Sequence, residues 1–174
     1  MDYGRRVPKQ SFGDIACSIA RAVDVVGQRW TPLILRDLFA GLTRFEDIRR
    51  DLGIASNILA ARLDDLEVHG VVERRQYQSA PPRYEYLLTD KGRDLYPVIA
   101  TLLAWGDKWR AGPDGPPALL VHDECGCVTT AKTVCARCGG ELRADTATAT
   151  AVRVRGPARA PPSSASSSWA ATPS

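Results

Sequence analysis

The most specific chemical signal in this 174-residue chain is a cluster of cysteines near one histidine. His122-Asp-Glu-Cys125-Gly-Cys127 is followed, after seven residues, by Cys135-Ala-Arg-Cys138-Gly139, so four of the five cysteines fall within fourteen positions. A Cys-x-x-Cys-Gly stretch folds as a tight knuckle whose backbone N–H groups can point at thiolate sulfurs, and a second pair upstream completes a tetrahedral set. Four N or S ligands with no redox demand suit structural Zn²⁺, which also stabilises a segment too small to fold unaided. Two ligand sets stay open. One is Cys125, Cys127, Cys135 and Cys138; the other replaces Cys127 by His122, because Cys-x-Cys is tighter than the usual two-residue spacing. Two disulfides would need an oxidising compartment, and a redox dithiol is the remaining alternative. No acid or base motif accompanies the cluster, so neither a catalytic metal nor an enzyme is expected.

A second chemistry lies in arginines spread over Arg44 to Thr89. Phe45, Ile48 and Leu52 share one helical face, and after Gly53 so do Leu59, Leu63 and Leu66, with Ser56 as N-cap and Gly70 as stop. Two short amphipathic helices joined by a Gly-containing turn predict a helix-turn-helix. Val71 to Tyr77 and Arg83 to Thr89 are β-prone runs broken by Gln78-Ser-Ala-Pro-Pro82, with Tyr84, Tyr86 and Leu88 on one face. A hairpin directly after the second helix is the layout of a winged helix, with Arg74, Arg75 and Arg83 near its tip or edges. With the leucine seam turned inward, the opposite face of the second helix, at about 100° per residue, holds Asn57, Ala60, Ala61 and Asp64, with Arg62 on its flank. Asn57 suits an adenine edge and Ala61 a thymine methyl; Ser56 at the helix start suits a phosphate. Arg44, Arg49 and Arg50 would hold the nucleic-acid backbone at the helix entrance, and the wing arginines flanking phosphate or minor groove. About half of these arginines are expected to be surface ion pairs instead, and Arg62 to meet a carboxylate of its own domain.

Other elements must position these. Asp14 to Val26 reads as a helix with Asp14 near its start, and Cys17 lies within this segment. Thr31-Pro32 opens a helix, Thr31 as N-cap, whose Leu33, Ile34, Leu35, Leu38 and Phe39 make it the central buried one. After the wing, Thr89-Asp-Lys-Gly-Arg93 leads into a last helix with Pro97 in its first turns. Leu95, Ile99, Leu102, Leu103, Trp105 and Trp109 give that helix more apolar surface than one domain needs, which predicts a subunit interface. Residues 112–118 read as a linker, and 157–174, rich in Pro, Ala and Ser, as a disordered tail. The organisation expected is therefore an arm at 1–13, a winged helix-turn-helix domain at 14–111, that linker, a Cys-rich zinc-ribbon-like extension at 119–156, and the tail. The fold class is mainly α with a small β wing (α+β).

Charge excludes a non-specific nucleic-acid coater. The net is only +3, with +2 on residues 1–13 and +3 on 142–174, which leaves −2 on 14–141. No run approaches the roughly 18 apolar residues of a membrane span, and no secretory h-region follows the start, so a cytoplasmic protein is expected.

The segments Cys17 to Leu38 (CSIARAVDVVGQRWTPLILRDL), Arg44-Phe-Glu-Asp-Ile, Leu59-x-x-Arg-Leu-x-x-Leu-Glu-x-x-Gly70-Val-Val-Glu-Arg74 and Pro81-Pro-Arg-Tyr-Glu-Tyr-Leu-Leu-Thr89-x-x-Gly92 resemble the HxlR-type winged-helix regulators, relatives of the MarR group. The resemblance covers roughly 17–109. It implies a homodimeric bacterial protein that binds double-stranded DNA, with dimer contacts from the first and last helices. Some members carry a C-terminal extension similar to 122–139, and in some branches the cysteine at the position of Cys17 senses electrophiles or oxidants. This chain departs from the pattern at Ser56-Asn57-Ile58, where a more basic turn is expected. Two effector chemistries remain open, a thiol-reactive compound at Cys17 and a small hydrophobic ligand at the dimer interface. The rival function is a small metal or redox protein whose cysteine cluster is the working end.

Overall fold

The structure, a computed structural model, describes residues 11–12 and 14–149. Of the arm at 1–13 only residues 11 and 12 are described, and the tail at 157–174 lies outside the described residues. Two compact units are present, Met1–Thr133 and Val134–Ser174. The division falls inside the Cys-rich stretch and not in the 112–118 segment, which closes on itself through a Gly112–Gly115 bridge. The first unit contains α1 (Ser18–Val26), α2 (Thr31–Phe39), α3 (Phe45–Leu52), α4 (Ser56–Val68), β1 (Val72–Ser79), β2 (Pro82–Leu88), α5 (Asp90–Arg93), α6 (Tyr96–Arg110), β3 (Leu120–His122) and β4 (Cys127–Thr129). In the second unit Val134 bridges Glu141.

The core of the first unit forms where the leucine spacing places it. Leu59, Leu63 and Leu66 of α4 are buried with Ile34, Leu35 and Leu38 of α2, Ile48 of α3, Ile54, and Val71, Val72 and Tyr86 of the hairpin. Each fully buried aliphatic side chain contributes on the order of 1.5–3 kcal/mol, so this seam outweighs the weak helix propensity of its neighbours. Gly53 (φ 59°) adopts the left-handed conformation that ends α3 and turns the chain into α4.

Helix starts differ from expectation by one to four residues. α2 and α4 are capped by Trp30 and Ala55, with Thr31 and Ser56 already helical and no side-chain cap bond at either. Thr31 is buried, so its side chain is drawn into the interior; Ser56 and Asn57 are exposed and leave the first N–H groups of α4 to solvent. α1 begins at Ser18 with Cys17 as N-cap, not at Asp14. The residues before it are held in turns, Ile15 donating to Phe12 O at 2.9 Å and Phe12 N donating to the Asp24 carboxylate at 3.0 Å.

β1 and β2 pair antiparallel with a bulge at Tyr77. A third strand-like edge joins them: the Tyr86 N–H donates to Thr43 O at 2.8 Å, and Arg44 bridges Glu85. Leu95, the N-cap of α6, and Ile99 within it are partly buried against the domain's own core. Leu102, Trp105 and Trp109 remain more than half exposed (51, 57 and 64%), and Leu103 is partly so. Helical periodicity turns residues at four-residue spacing inward and their neighbours out.

Asp37 on α2 is a buried carboxylate that the pattern of apolar residues did not mark. Arg36 holds Asp37 Oδ1 at 2.6 Å and also pairs with Asp51. Burial raises the Asp37 pKa and the Arg36 guanidinium opposes that rise.

The start of α5 is welded to the end of α4. The Thr89 hydroxyl accepts from Gly92 N at 3.1 Å and lies 2.7 Å from Gly70 O, to which it donates. A Cβ on Gly92 would stand 2.1 Å from the Val71 carbonyl oxygen, a backbone atom unable to yield, whereas one on Gly106 in α6 would meet nothing within 4 Å. Gly92→Ala is therefore expected to destabilise the domain by about 1–3 kcal/mol. Gly106→Ala should be neutral or stabilise by up to about 1 kcal/mol. Urea denaturation followed by circular dichroism measures both.

Candidate nucleic-acid interface

Burying the leucine seam fixes what α4 shows to the outside. Asn57, Ala61 and Asp64 are exposed along one ridge, Ser56 stands at its N-terminal end, and Ala60 is half-buried. A helix presenting a polar amide and small side chains is shaped to enter a major groove without steric conflict.

The structure divides the seven candidate arginines by partner. Four are neutralised by carboxylates: Arg49 by Glu46 (2.9 Å), Arg50 by Asp47 (3.3 Å), Arg62 by Asp65 (2.9 Å) and Arg75 by Glu85 (2.8 Å). Arg62 is also mostly covered, its side chain 21% exposed, so it serves α4 itself before any ligand. Three arginines have no carboxylate partner among the described residues: Arg44, Arg74 and Arg83. Arg44 lies over the Tyr77 ring at 4.8 Å and Arg74 over Tyr84 at 3.7 Å, stacked contacts that hold the guanidinium plane while leaving its charge uncompensated.

Arg44 and Arg83, but not Arg74, meet in a groove of about 600 Å³ between the start of α3 and the hairpin, lined also by Asp47, Arg50, Tyr77 and Tyr84. Along the hairpin only Arg83 sits near the tip, paired with Gln78; Arg74 and Arg75 lie further down, opposite Tyr86 and Glu85. Tyr77 and Tyr84 as arginine platforms were not marked from the sequence. The signal was there in an alternation of Arg and Tyr on facing strands, but it becomes readable only once the register and the bulge are known.

Cys17 is a free, half-buried thiol at the N-cap of α1. Around it, Ile15 and Ile19 are exposed apolar residues. In the first unit His122 Nδ1 lies 3.4 Å from Cys125 Sγ, and Cys127 opens β4 with its Sγ directed at Cys125 O, also 3.4 Å away. In the second unit Cys135 and Cys138 share a turn closed by a bond from Gly139 N to Cys135 O at 2.8 Å. The backbone N–H groups of Arg137 and Cys138, with the Cys138 thiol, lower the Cys135 pKa. Among the described residues no three His, Cys, Asp or Glu side chains are gathered to hold a metal ion, so the local geometry of each pair is what bears on metal binding.

A family model described as HxlR-like helix-turn-helix matches residues 25–113. The chain belongs to the HxlR-like helix-turn-helix family. An uncharacterized HTH-type transcriptional regulator of Mycobacterium tuberculosis is 44% identical over 127 residues, which is 73% of this chain and 80% of the relative. YvaP, an uncharacterized HTH-type transcriptional regulator of Bacillus subtilis, is 39% identical over 90 residues, 51% of this chain and 83% of the relative. The crystal structure of PA1607, a candidate transcription factor, superposes with a TM-score of 0.73 at 39% identity, covering 81% of this chain and 99% of that one. The redox regulator HypR in its reduced form gives 0.51 at 33% identity, covering 54% of this chain and 94% of its own. This HxlR-type chain is thus a winged helix-turn-helix transcription regulator that binds DNA, and not an enzyme. No helix among the described residues is long and apolar enough to cross a membrane.

Proposed function

We propose that this regulator acts in the cytoplasm as a homodimer on an inverted-repeat operator, with α4 in the major groove and the α3–hairpin groove on the flanking phosphates. The observation that carries this reading is the partition of the arginines. Arg44 and Arg83, two of the three arginines without a carboxylate partner, line one groove, and α4 leaves the Asn57–Ala61 ridge exposed. The dimer is supported by apolar surface at both ends of the fold: Ile15 and Ile19 at α1, and Leu102, Trp105 and Trp109 on α6. Such surface is large for a monomer. A two-fold dimer places its half-sites about one turn, roughly 10 bp, apart.

Two mutational outcomes test the assignment. Arg44→Ala and Arg83→Ala should each weaken binding on every sequence and lower the slope of log K against log salt by about 1. Arg49→Ala, whose guanidinium Glu46 already holds, should change it far less. Equal slopes for all three would contradict the partition. Asn57→Ala should relax base preference at one position per half-site, worth about 1–3 kcal/mol of discrimination; a uniform loss across sequences would contradict base readout. Titrations with fluorescent oligonucleotides at several salt concentrations read all four.

We further propose that Cys17 regulates DNA binding as a thiol. The support is its half-buried place at the mouth of α1, next to the exposed Ile15 and Ile19, together with the likeness to HypR, a redox regulator solved in reduced and oxidized forms. The hydrophobic-effector reading has less behind it. The apolar cavity beside Phe39, Tyr96, Ile99 and Leu103 is about 200 Å³, below the ~300–1,000 Å³ of ordinary ligand pockets. Diamide should lower operator affinity of the native chain and leave Cys17→Ser unaffected. A response that survives the substitution would remove Cys17 as the sensor.

A further inference from the structure

Arg44 shares a row of the sheet with a carboxylate that it does not touch. Arg44 bridges Glu85 along one edge of β2, and Glu85 pairs in register with Arg75 on the other edge. Side chains paired across antiparallel strands turn to the same face, with Cβ atoms about 4.5–5.5 Å apart. Arg44, Glu85 and Arg75 therefore form one row in which a single carboxylate stands between two guanidinium groups. Glu85 is held by Arg75, whose Nε donates to Oε1 at 2.9 Å while Nη2 lies 2.8 Å from the same oxygen. Arg44 turns instead to Tyr77, the residue at the bulge between Gln76 and Gln78, and lies over its ring at 4.8 Å.

We infer that Arg75 sets DNA affinity as a positioning residue: by occupying Glu85 it keeps Arg44 on Tyr77, without a carboxylate partner and open to phosphate. This rests on the reading of Arg44 as a phosphate contact in the proposed function. The Glu85 side chain is 19% exposed. A carboxylate so covered is costly to leave unpaired, and Arg44 is the next cation in its row. A charge-assisted hydrogen bond to such a carboxylate is stronger than a stack on a partly exposed ring. Without the Arg75 fork, Arg44 leaves Tyr77 for Glu85, and its charge is neutralised before DNA arrives. Arg75 thus reaches DNA only through Arg44. The other acids at the groove compete less well. Glu46 and Asp47 are held by Arg49 and Arg50, and both are more exposed than Glu85, at 63 and 39%, so water screens their attraction more strongly.

Salt titrations of the full-length chain on a duplex enriched from a random DNA pool test this. Arg75→Gln, which keeps most of the side-chain stem, should lower the slope of log K against log salt by about 1, as much as Arg44→Ala. Adding Glu85→Gln to Arg75→Gln should return the slope to that of the native chain. In an Arg44→Ala background Arg75→Gln should add nothing, whereas a damaged hairpin would lower binding further. A slope unmoved by Arg75→Gln, or a loss that Glu85→Gln does not restore, would overturn the inference, the second because Arg75 would then meet DNA itself. Nitrogen-15 NMR of the arginine side chains reads the capture without DNA: exchange of the Arg44 Nε proton with water should slow in Arg75→Gln. Exchange as fast as in the native chain would overturn the capture. Slowed exchange with a slope that neither Arg44→Ala nor Arg75→Gln changes would instead remove Arg44 from the phosphates, and the control by Arg75 with it.

Discussion

The rest of the structure depends on the burial of one side of α4. Leu59, Leu63 and Leu66 repeat at helical spacing, and each is withdrawn from water against α2, α3 and the root of the hairpin. Because the seam cannot rotate without exposing leucine, the ridge of Asn57, Ala61 and Asp64 cannot rotate either. A reading head needs this rigidity, since a base contact misplaced by an ångström is lost. The same burial draws Val71 and, from the hairpin, Val72 and Tyr86 into the core, and Arg83 of the wing lines one groove with the entrance of α3.

On that frame charge is distributed with economy. Residues 14–141 are slightly acidic in total, and most arginines near the ridge are spent on local carboxylates. What remains positive is narrow: Arg44 and Arg74 laid on tyrosine rings, and Arg83 near the hairpin tip. A small number of held, unpaired guanidinium groups gives a binding surface that is selective in register and weak in non-specific attraction. This is consistent with a regulator that must leave most DNA alone.

Much of this was readable from spacing. The helix pair, the glycine turn, the hairpin and the central α2 are written in periodicities of 3.6 and 2, because burial of one face sets those periods. What escaped depends on partners distant in sequence. Thr43 and Arg44 add a strand edge to β2 although no β-prone run marks them. Asp37 is buried inside an apolar helix because Arg36 reaches round to it. Leu95 and Ile99 pack against the domain's own core while Leu102, Trp105 and Trp109 stay exposed, a split that the apolar pattern of α6 does not mark.

The most direct measurement of the central claim is selection of bound duplexes from a random DNA pool by the purified full-length chain, followed by salt-dependent affinity for the enriched sequence. The account predicts enrichment of an inverted repeat with half-site centres about one helical turn apart, bound by two chains. Enrichment of no motif, or of a single unrepeated half-site bound by one chain, would contradict it.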